Sequence, residues 1–511
     1  MVYVRKDWNA LTQPERDAYA KGVGAMRDLA ASDPTDPRGW LYQANVHGDP
    51  DGDPPPAQQR FWAMCQHASW YFLPWHRMYI YFFERIVRKY SGNPDFALPY
   101  WNYTDTPGIA STRALPADFR DTGSSLYTPE RRPEINAGAA MPESNVLYSG
   151  AYENTSFFTY QGGTRFNPLA LAFGGFAGEP SHDGYWTGLI ENQPHNLVHV
   201  AVGGTDGLMS NPDVAARDPI FWLHHSNIDR MWEGWLALGG GRHNPEVTGI
   251  VVARFYSTRF YFHDENGNEV VMQGSEILDT VGQLDYAYDK LPPAPPSRQA
   301  NRRLSVALAP AAGDESSPPS APEGRELGVA EETGFRLDAV KLVRLALSGD
   351  APRRGLFLDA AEETGEAESR PMLLTLEGVR VEGLPGYTYE VYLNVPDLEH
   401  ATFDSIHYVG NFGIFTHPGG GAHAGHAGHA GHDASNFAFD VTGVVADLRA
   451  QDRWDPESPN VTFVARGVEP VTDTRGRAPI LSAAERGPDT EMVDGQRPPH
   501  YTVERVRLIG A

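Results

Sequence analysis

Six histidines in two triplets, His47, His67 and His76 followed by His195, His199 and His225, constrain this chain more than any other feature. Histidine is the commonest metal ligand, and neutral imidazole suits zinc, copper, iron and nickel. Two triplets of one ligand type imply two similar metal ions, each with three nitrogens and an open position where a small molecule can bind and be bridged. A hydrolytic dizinc site would bring bridging carboxylates, and none is interleaved here at ligand spacing. All-histidine pairs favour redox copper working with dioxygen.

Local patterning places most of these residues on helices. Residues 60–73 and 75–90 are aromatic-rich and mostly apolar, with Pro74 between them, so that Pro74 would start a helix carrying His76 in its first turn. His195 and His199 stand at i and i+4 and share a helix face, with Pro194 just ahead as at a helix start. His225 lies in FWLHHSNIDRMWEGW, helical by pattern. His47, in NVHGDPDGDPPP, reads as a loop residue chosen by its upstream position. Consecutive helix residues point about 100° apart, so of His224 and His225 one is expected to face the metal. Imidazoles converging from several helices describe a bundle-type site.

Composition sets the outer limits. The chain has 511 residues and a formal charge of −24, which argues against a nucleic-acid or anionic-membrane partner. No apolar stretch reaches the roughly 18 residues of a membrane span. The first residues lack an apolar core and predict no signal peptide, hence a cytoplasmic chain; export bound to a partner carrying the signal stays open. LTQPERDAY reads as a helix start, with Thr12 as N-cap and Glu15 three residues on. The single cysteine, Cys65, allows no internal disulfide.

The organisation reads as an α+β, multidomain chain. Residues 1–290 form a mainly α-helical bundle, 291–325 a Pro/Ala/Ser-rich linker, and 326–511 an antiparallel β-sandwich or barrel built from runs such as MLLTLEGVRVEG and YTYEVYLNV. A glycine-spaced tract, His423, His426, His429 and His432, reads as a loop that could capture copper or stay solvated.

Two longer patterns carry a family resemblance. H-x4-F-L-P-W-H-R-x6-E, from His67 to Glu84, resembles the first copper-site signature of tyrosinases and polyphenol oxidases. D-P-I-F-W-L-H-H-S-N-I-D, from Asp218 to Asp229, is similar to the second and selects His225 as the ligand. The chain is thereby identified as a member of the type-3 copper proteins, close to the plant and bacterial polyphenol oxidases with a C-terminal extension. The resemblance implies two coppers as cofactors, phenols and dioxygen as partners, and no nucleic acid or membrane.

It also implies roles for further residues. Cys65, two positions before His67, resembles the fungal cysteine that forms a thioether to that histidine; a buried inert thiol is the plain alternative. Glu191 and Asn196 match the pair that holds a water near the second copper and takes the phenolic proton. Val200 would lie on the substrate side, and Pro212 stands where plant catechol oxidases often have a roofing phenylalanine, opening substrate access. Arg77, Asp218, Asp229 and Arg230 are candidates for supporting the ligands or for plain ion pairs. YVGNFGIFTHP (408–418) and NFAFDVTGVVADLRAQD (436–452) are similar to the plant shielding domain, which keeps the enzyme latent by inserting a side chain over the coppers; Phe412 and Phe415 are the candidates. Arg298, Arg302 and Arg303 offer sites to an activating protease. The leading function is therefore hydroxylation of monophenols and oxidation of o-diphenols to o-quinones. A catechol or o-aminophenol oxidase lacking the first step, or a haemocyanin-like dioxygen carrier, are the alternatives.

Overall fold

The computed structural model describes residues 1–160, 172–180, 187–246, 249–295, 325–347, 372–383, 386–415, 434–455, 458–468 and 500–510. The tract at 423–432 and the arginines at 298, 302 and 303 lie outside them.

The N-terminal region is helical. Helix α1, Gln13–Ser32, starts as its sequence predicts: Thr12 is the N-cap, and Glu15 Oε2 accepts from the Thr12 backbone N–H at 2.7 Å. Helix α2 is Trp40–His47 and α3 is Phe72–Ser91. α3 is buried along most of its length, its charged face of Arg77, Glu84 and Arg88 included, because those charges are paired; it stops at Gly92, whose left-handed backbone (φ 70°) suits only glycine easily. α1 crosses α3 where Gly22 meets Val87, so closely that a Cβ at 22 would lie 2.7 Å from Val87 Cγ1. Two further helices carry site residues, α4 (Leu197–Gly203) and α5 (Pro219–Ala237). α5 opens on Pro219, with Asp218 as N-cap accepting from the Ile220 N–H at 3.0 Å. These elements enclose one aromatic core containing Trp75, Tyr79, Phe83, Trp222 and Trp232.

Two local expectations are corrected. Residues 60–71 are irregular rather than helical, and α3 already begins at Phe72, so Pro74 sits inside its first turn and His76 beyond it. His47 is not on a loop but is the last residue of α2.

A buried ionic network ties the helices together. Asp229 on α5 accepts from Arg77 Nε on α3 at 2.5 Å and from Arg5 at 3.3 Å. It also takes the hydroxyls of Tyr286 and Tyr288, each at 2.6 Å. Arg5 belongs to strand β1 (Tyr3–Arg5), which pairs in parallel with β2 (Tyr286–Tyr288), and it reaches Glu84 on α3 at 2.8 Å. Asp229 therefore braces the bundle and orients no imidazole. Arg230 pairs with Asp105, and Asp218 forms a two-pronged pair with Arg131 at 2.7 Å on each oxygen.

The C-terminal region is strand-rich with a core of its own. Its strands are β3 (Arg325–Ala330), β4 (Phe335–Arg336), β5 (Val340–Leu347), β6 (Met372–Glu382), β7 (Thr388–Leu393), β8 (Tyr408–Phe412), β9 (Ser435–Asp440), β10 (Asn460–Arg466), β11 (His500–Val503) and β12 (Arg505–Gly510). They pair antiparallel in the order β8-β7-β10-β5-β3-β12-β6-β11-β4, with β9 on β6. The expected pairing of a helical region with an antiparallel strand-rich one is what the fold contains. The start of the expected linker packs on the helical region: the Pro293 carbonyl accepts from Tyr148 Oη at 2.8 Å. No helix among the described residues is long and apolar enough to cross a membrane.

Removing the anion at the centre of the network leaves two buried guanidiniums without it. Asp229→Ala is expected to cost about 3–5 kcal/mol, read from chemical unfolding. Burial raises the Asp229 pKa, but Arg77 and Arg5 more than offset it, and the folded value lies below the unfolded one. Its contribution is thus present above about pH 4 and lost as pH falls further.

Candidate metal centre

Two groups of histidines face each other inside the helical core. His47 from the end of α2, His67 from the irregular segment before α3 and His76 from α3 form the first, with ring centroids 5.3–5.6 Å apart. His195, His199 on α4, and both His224 and His225 on α5 form the second, with the ligand atoms all within 4.8 Å of one another. The groups adjoin: the rings of His76 and His225 stack at 4.3 Å and 7°. Both His224 and His225, of which one was expected to face the metal, reach this group, because an imidazole swings on two side-chain torsions and two adjacent ones can converge from one helix.

Hydrogen bonds on the outer nitrogens fix the rings. Nδ1 of His47 donates to the Pro212 carbonyl at 2.9 Å, that of His76 to the Phe72 carbonyl at 2.8 Å, and that of His199 to the Met209 carbonyl at 2.7 Å. His195 Nδ1 donates to Asn196 Oδ1 at 2.9 Å. Each acceptor obliges Nδ1 to carry the proton, so Nε2 keeps its lone pair. The Nε2 atoms of His76, His195 and His199 are buried and carry no hydrogen bond, a costly arrangement unless a cation takes them. Burial holds the rings neutral: it pushes the His76 pKa down to about 3 and those of His195, His199, His224 and His225 well below the usual value, with neighbouring histidines adding to it. Seven imidazoles in two groups, without a carboxylate among them, fit a dinuclear type-3 copper site.

The residues around the groups come together in ways the sequence could only partly indicate. Cys65 is buried, with Sγ 3.3 Å from His67 Nδ1. The segment holding both is bent: Ala63 and Ala68 have left-handed backbone (φ 56° and 48°), costing roughly 1–2 kcal/mol each for an L-residue. Glu191 holds that bend, its Oε1 accepting from the Ala68 N–H at 2.7 Å while Oε2 is buried without a hydrogen bond. Burial pushes the Glu191 pKa up to about 8, against the backbone N–H groups of Ala68 and Gly188. Asn196 orients His195 through its side-chain oxygen. Val200 is buried on α4, next to His199. Pro212 is buried too, and acts on the site through the carbonyl that holds His47.

The strand-rich region reaches into this centre. Phe415 follows β8 and lies flat on His199, at 4.0 Å and 21°, with its edge toward His67 and His195 at 5.8 and 5.7 Å. Phe412 is in the core of the strand-rich region, stacked on Tyr389. Behind α4, Asn145 Oδ1 accepts from Thr388 Oγ1 at 2.9 Å and Asn411 Nδ2 at 3.3 Å, joining the regions. Gly386 abuts Gly204, where a Cβ would lie 2.4 Å from the Gly204 carbonyl carbon.

Comparisons with known proteins agree with this geometry. Residues 37–238 match the common central domain of tyrosinase, 255–302 the polyphenol oxidase middle domain, and 326–474 a domain of unknown function. The chain is 32% identical over 478 residues to a tyrosinase of Hahella sp., covering 86% of this chain and 91% of that one. It is 28% identical to the chloroplastic polyphenol oxidase latent form of Prunus armeniaca, over 88% of this chain and 70% of the other. Its fold is similar to that of latent apple tyrosinase, with a TM-score of 0.60 and 23% identity over 100% of this chain and 97% of that one.

Asn196→Leu keeps the position buried and removes the acceptor for His195. It is expected to weaken binding of one of two metal ions 10- to 100-fold in competition with a chelator, without loss of helix signal in circular dichroism.

Proposed function

The chain belongs to the tyrosinase and polyphenol oxidase family of type-3 copper proteins, an oxidoreductase acting on phenols, and from that premise we propose that it has both activities of such an enzyme: it hydroxylates monophenols and oxidises o-diphenols to o-quinones. The observation that carries this reading is Glu191. Its unbonded Oε2 is buried next to the bend that carries His67 and four residues ahead of His195. The coppers supply binding and reduction of dioxygen. The protein's part is to take the phenolic proton, since a phenol with pKa near 10 is neutral at pH 7. A carboxyl whose pKa lies near working pH is suited to that task, acting directly or through a water that the Asn196 amide N–H orients. His47, His67 and His76 hold one copper, and His195, His199 and His225 the other.

Burial that keeps Glu191 neutral favours the second reading, an oxidase of catechols or o-aminophenols alone. A diphenol is acidified on binding copper and relies less on a protein base. Glu191→Gln and Asn196→Ala, each compared with the parent at equal copper content, separate the two readings. Both are expected to depress monophenol turnover more than diphenol turnover, by about 10²-fold for a lost base; equal losses on both substrates favour the catechol oxidase.

Latency is the second part of the proposal. Phe415 covers His199 where a substrate ring would lie, and the Asn145 contacts hold the strand-rich region in place. Opening is supplied by cleavage between 291 and 325. Phe415→Gly is expected to raise turnover on small phenols several-fold without cleavage, because it raises the fraction of open sites. Equal rates for the parent and this variant assign the strand-rich region another role.

The third part is covalent. Cys65 Sγ bonds to a ring carbon of His67 with loss of two hydrogens to dioxygen at the copper site, a bond supported by the 3.3 Å approach of sulfur to Nδ1. Denatured, copper-loaded protein is expected to weigh two hydrogen masses less than its sequence, with Cys65 resistant to alkylation. A readily alkylated Cys65 in active enzyme rejects the bond.

A further inference from the structure

One buried side chain joins the strand-rich region to the segment that carries the second histidine group. Asn145 is 1% exposed and lies in the short turn Glu143–Val146. Its Nδ2 donates to the Leu197 carbonyl at 3.3 Å, and Leu197 stands midway between His195 and His199 in the chain. Its Oδ1 accepts from Thr388 Oγ1 on β7 at 2.9 Å and from Asn411 Nδ2 on β8 at 3.3 Å. The oxygen of one amide is thus satisfied by the strand-rich region and the nitrogen by α4. The neighbouring Ser144 carbonyl accepts from Gln193 Nε2 at 2.7 Å, which ties the same turn to the residues just ahead of His195.

Packing at the same place runs the same way. Gly413 lies against Leu197, where a Cβ would be 3.1 Å from Leu197 Cδ2 and 3.0 Å from Thr388 Cγ2. Phe415 covers His199 and turns its edge to His195. The segment from His195 to His199 is therefore gripped by the turn at Asn145 and by the strand-rich region together. In the first group, His47 and His76 take their acceptors from the helical region, the carbonyls of Pro212 and Phe72. Phe415 also raises a problem of entry, since a side chain that covers the centre bars a metal ion as well as a substrate.

We propose that Asn145 is a positioning residue that couples docking of the strand-rich region to metal binding by His195, His199 and His225. This rests on the reading of the two groups as copper sites beneath a covering region. Docking fixes Leu197 through the amide and so holds the two flanking imidazoles at the spacing the ion needs. The coupling is reciprocal: whatever docking adds to the affinity for copper, copper adds to docking. The copper-free chain is then the more open one and admits metal. Filling the second site draws the strand-rich region down and sets Phe415 in place, so latency follows loading. The first ion is not held through Asn145, and its affinity is independent of this contact.

The test uses full-length protein with Thr388→Val, which keeps the side-chain shape and removes a hydroxyl whose hydrogen bond goes to Asn145. Competition with a chelator is expected to show one copper, the one that Asn196→Leu weakens, held about 3- to 10-fold less tightly, the worth of one hydrogen bond, and the other copper unchanged. Asn145→Leu is expected to weaken the same copper, and adding Thr388→Val to it to change nothing more. Hydrogen exchange reads the reciprocal effect. In unmodified protein the amides at 386–388 and 411–415 are expected to exchange more slowly with copper than without, and the difference to shrink in Thr388→Val. If Asn145→Leu does not fold, Thr388→Val and the exchange rates decide. Exchange that is the same with and without copper, an unchanged copper affinity in Thr388→Val, or both coppers weakened alike overturns the inference and leaves Asn145 a plain structural contact. Unmodified protein that takes up no copper refutes the copper reading and this inference together; two coppers indifferent to Thr388→Val refute this inference alone.

Discussion

The centre depends on buried imidazoles whose outer nitrogen is hydrogen-bonded and whose inner nitrogen is not. A buried polar atom without a partner costs on the order of 1–3 kcal/mol, and several are gathered here. The fold carries that cost because aromatic packing around α3 and α5 and the ionic brace at Asp229 hold the two helices in one arrangement. Neutral, oriented imidazoles are what a copper ion needs, so the arrangement costly without metal is the one metal binding relieves.

Of the four outer acceptors, three are neighbours of the ligands by structure rather than by type. These are backbone carbonyls, of Phe72, Met209 and Pro212, which any residue could supply. They place the rings through the course of the chain. The Pro212 loop, read in the sequence as an opening for substrate, turns out to hold His47 as well. The same is true of Glu191, whose bond to the Ala68 N–H fixes the bend carrying His67.

Much of this was legible in the sequence because it repeats at short spacing. The capping pair Thr12 and Glu15, the i, i+4 histidines 195 and 199, and the change from aromatic helix patterns to β-branched strands each reflect local backbone geometry. What was not legible depends on contacts between distant segments. His47 ends a short helix that has no strong amphipathic period. His67 lies on a bend formed by two left-handed alanines, residues that seldom mark one. His224 and His225 reach one group because an imidazole swings on two torsions, which helix spacing alone does not show. Phe415 could not be told from Phe412, since one packs in its own region and the other reaches the site from three residues further on.

The account rests on two copper ions held side by side by these groups. X-ray absorption at the copper edge, on fully loaded full-length protein with the metal content measured in parallel, tests it most directly. It predicts two coppers per chain, nitrogen neighbours at about 2 Å and a copper neighbour within about 4 Å. One copper per chain, or two without a metal neighbour at that range, would contradict it.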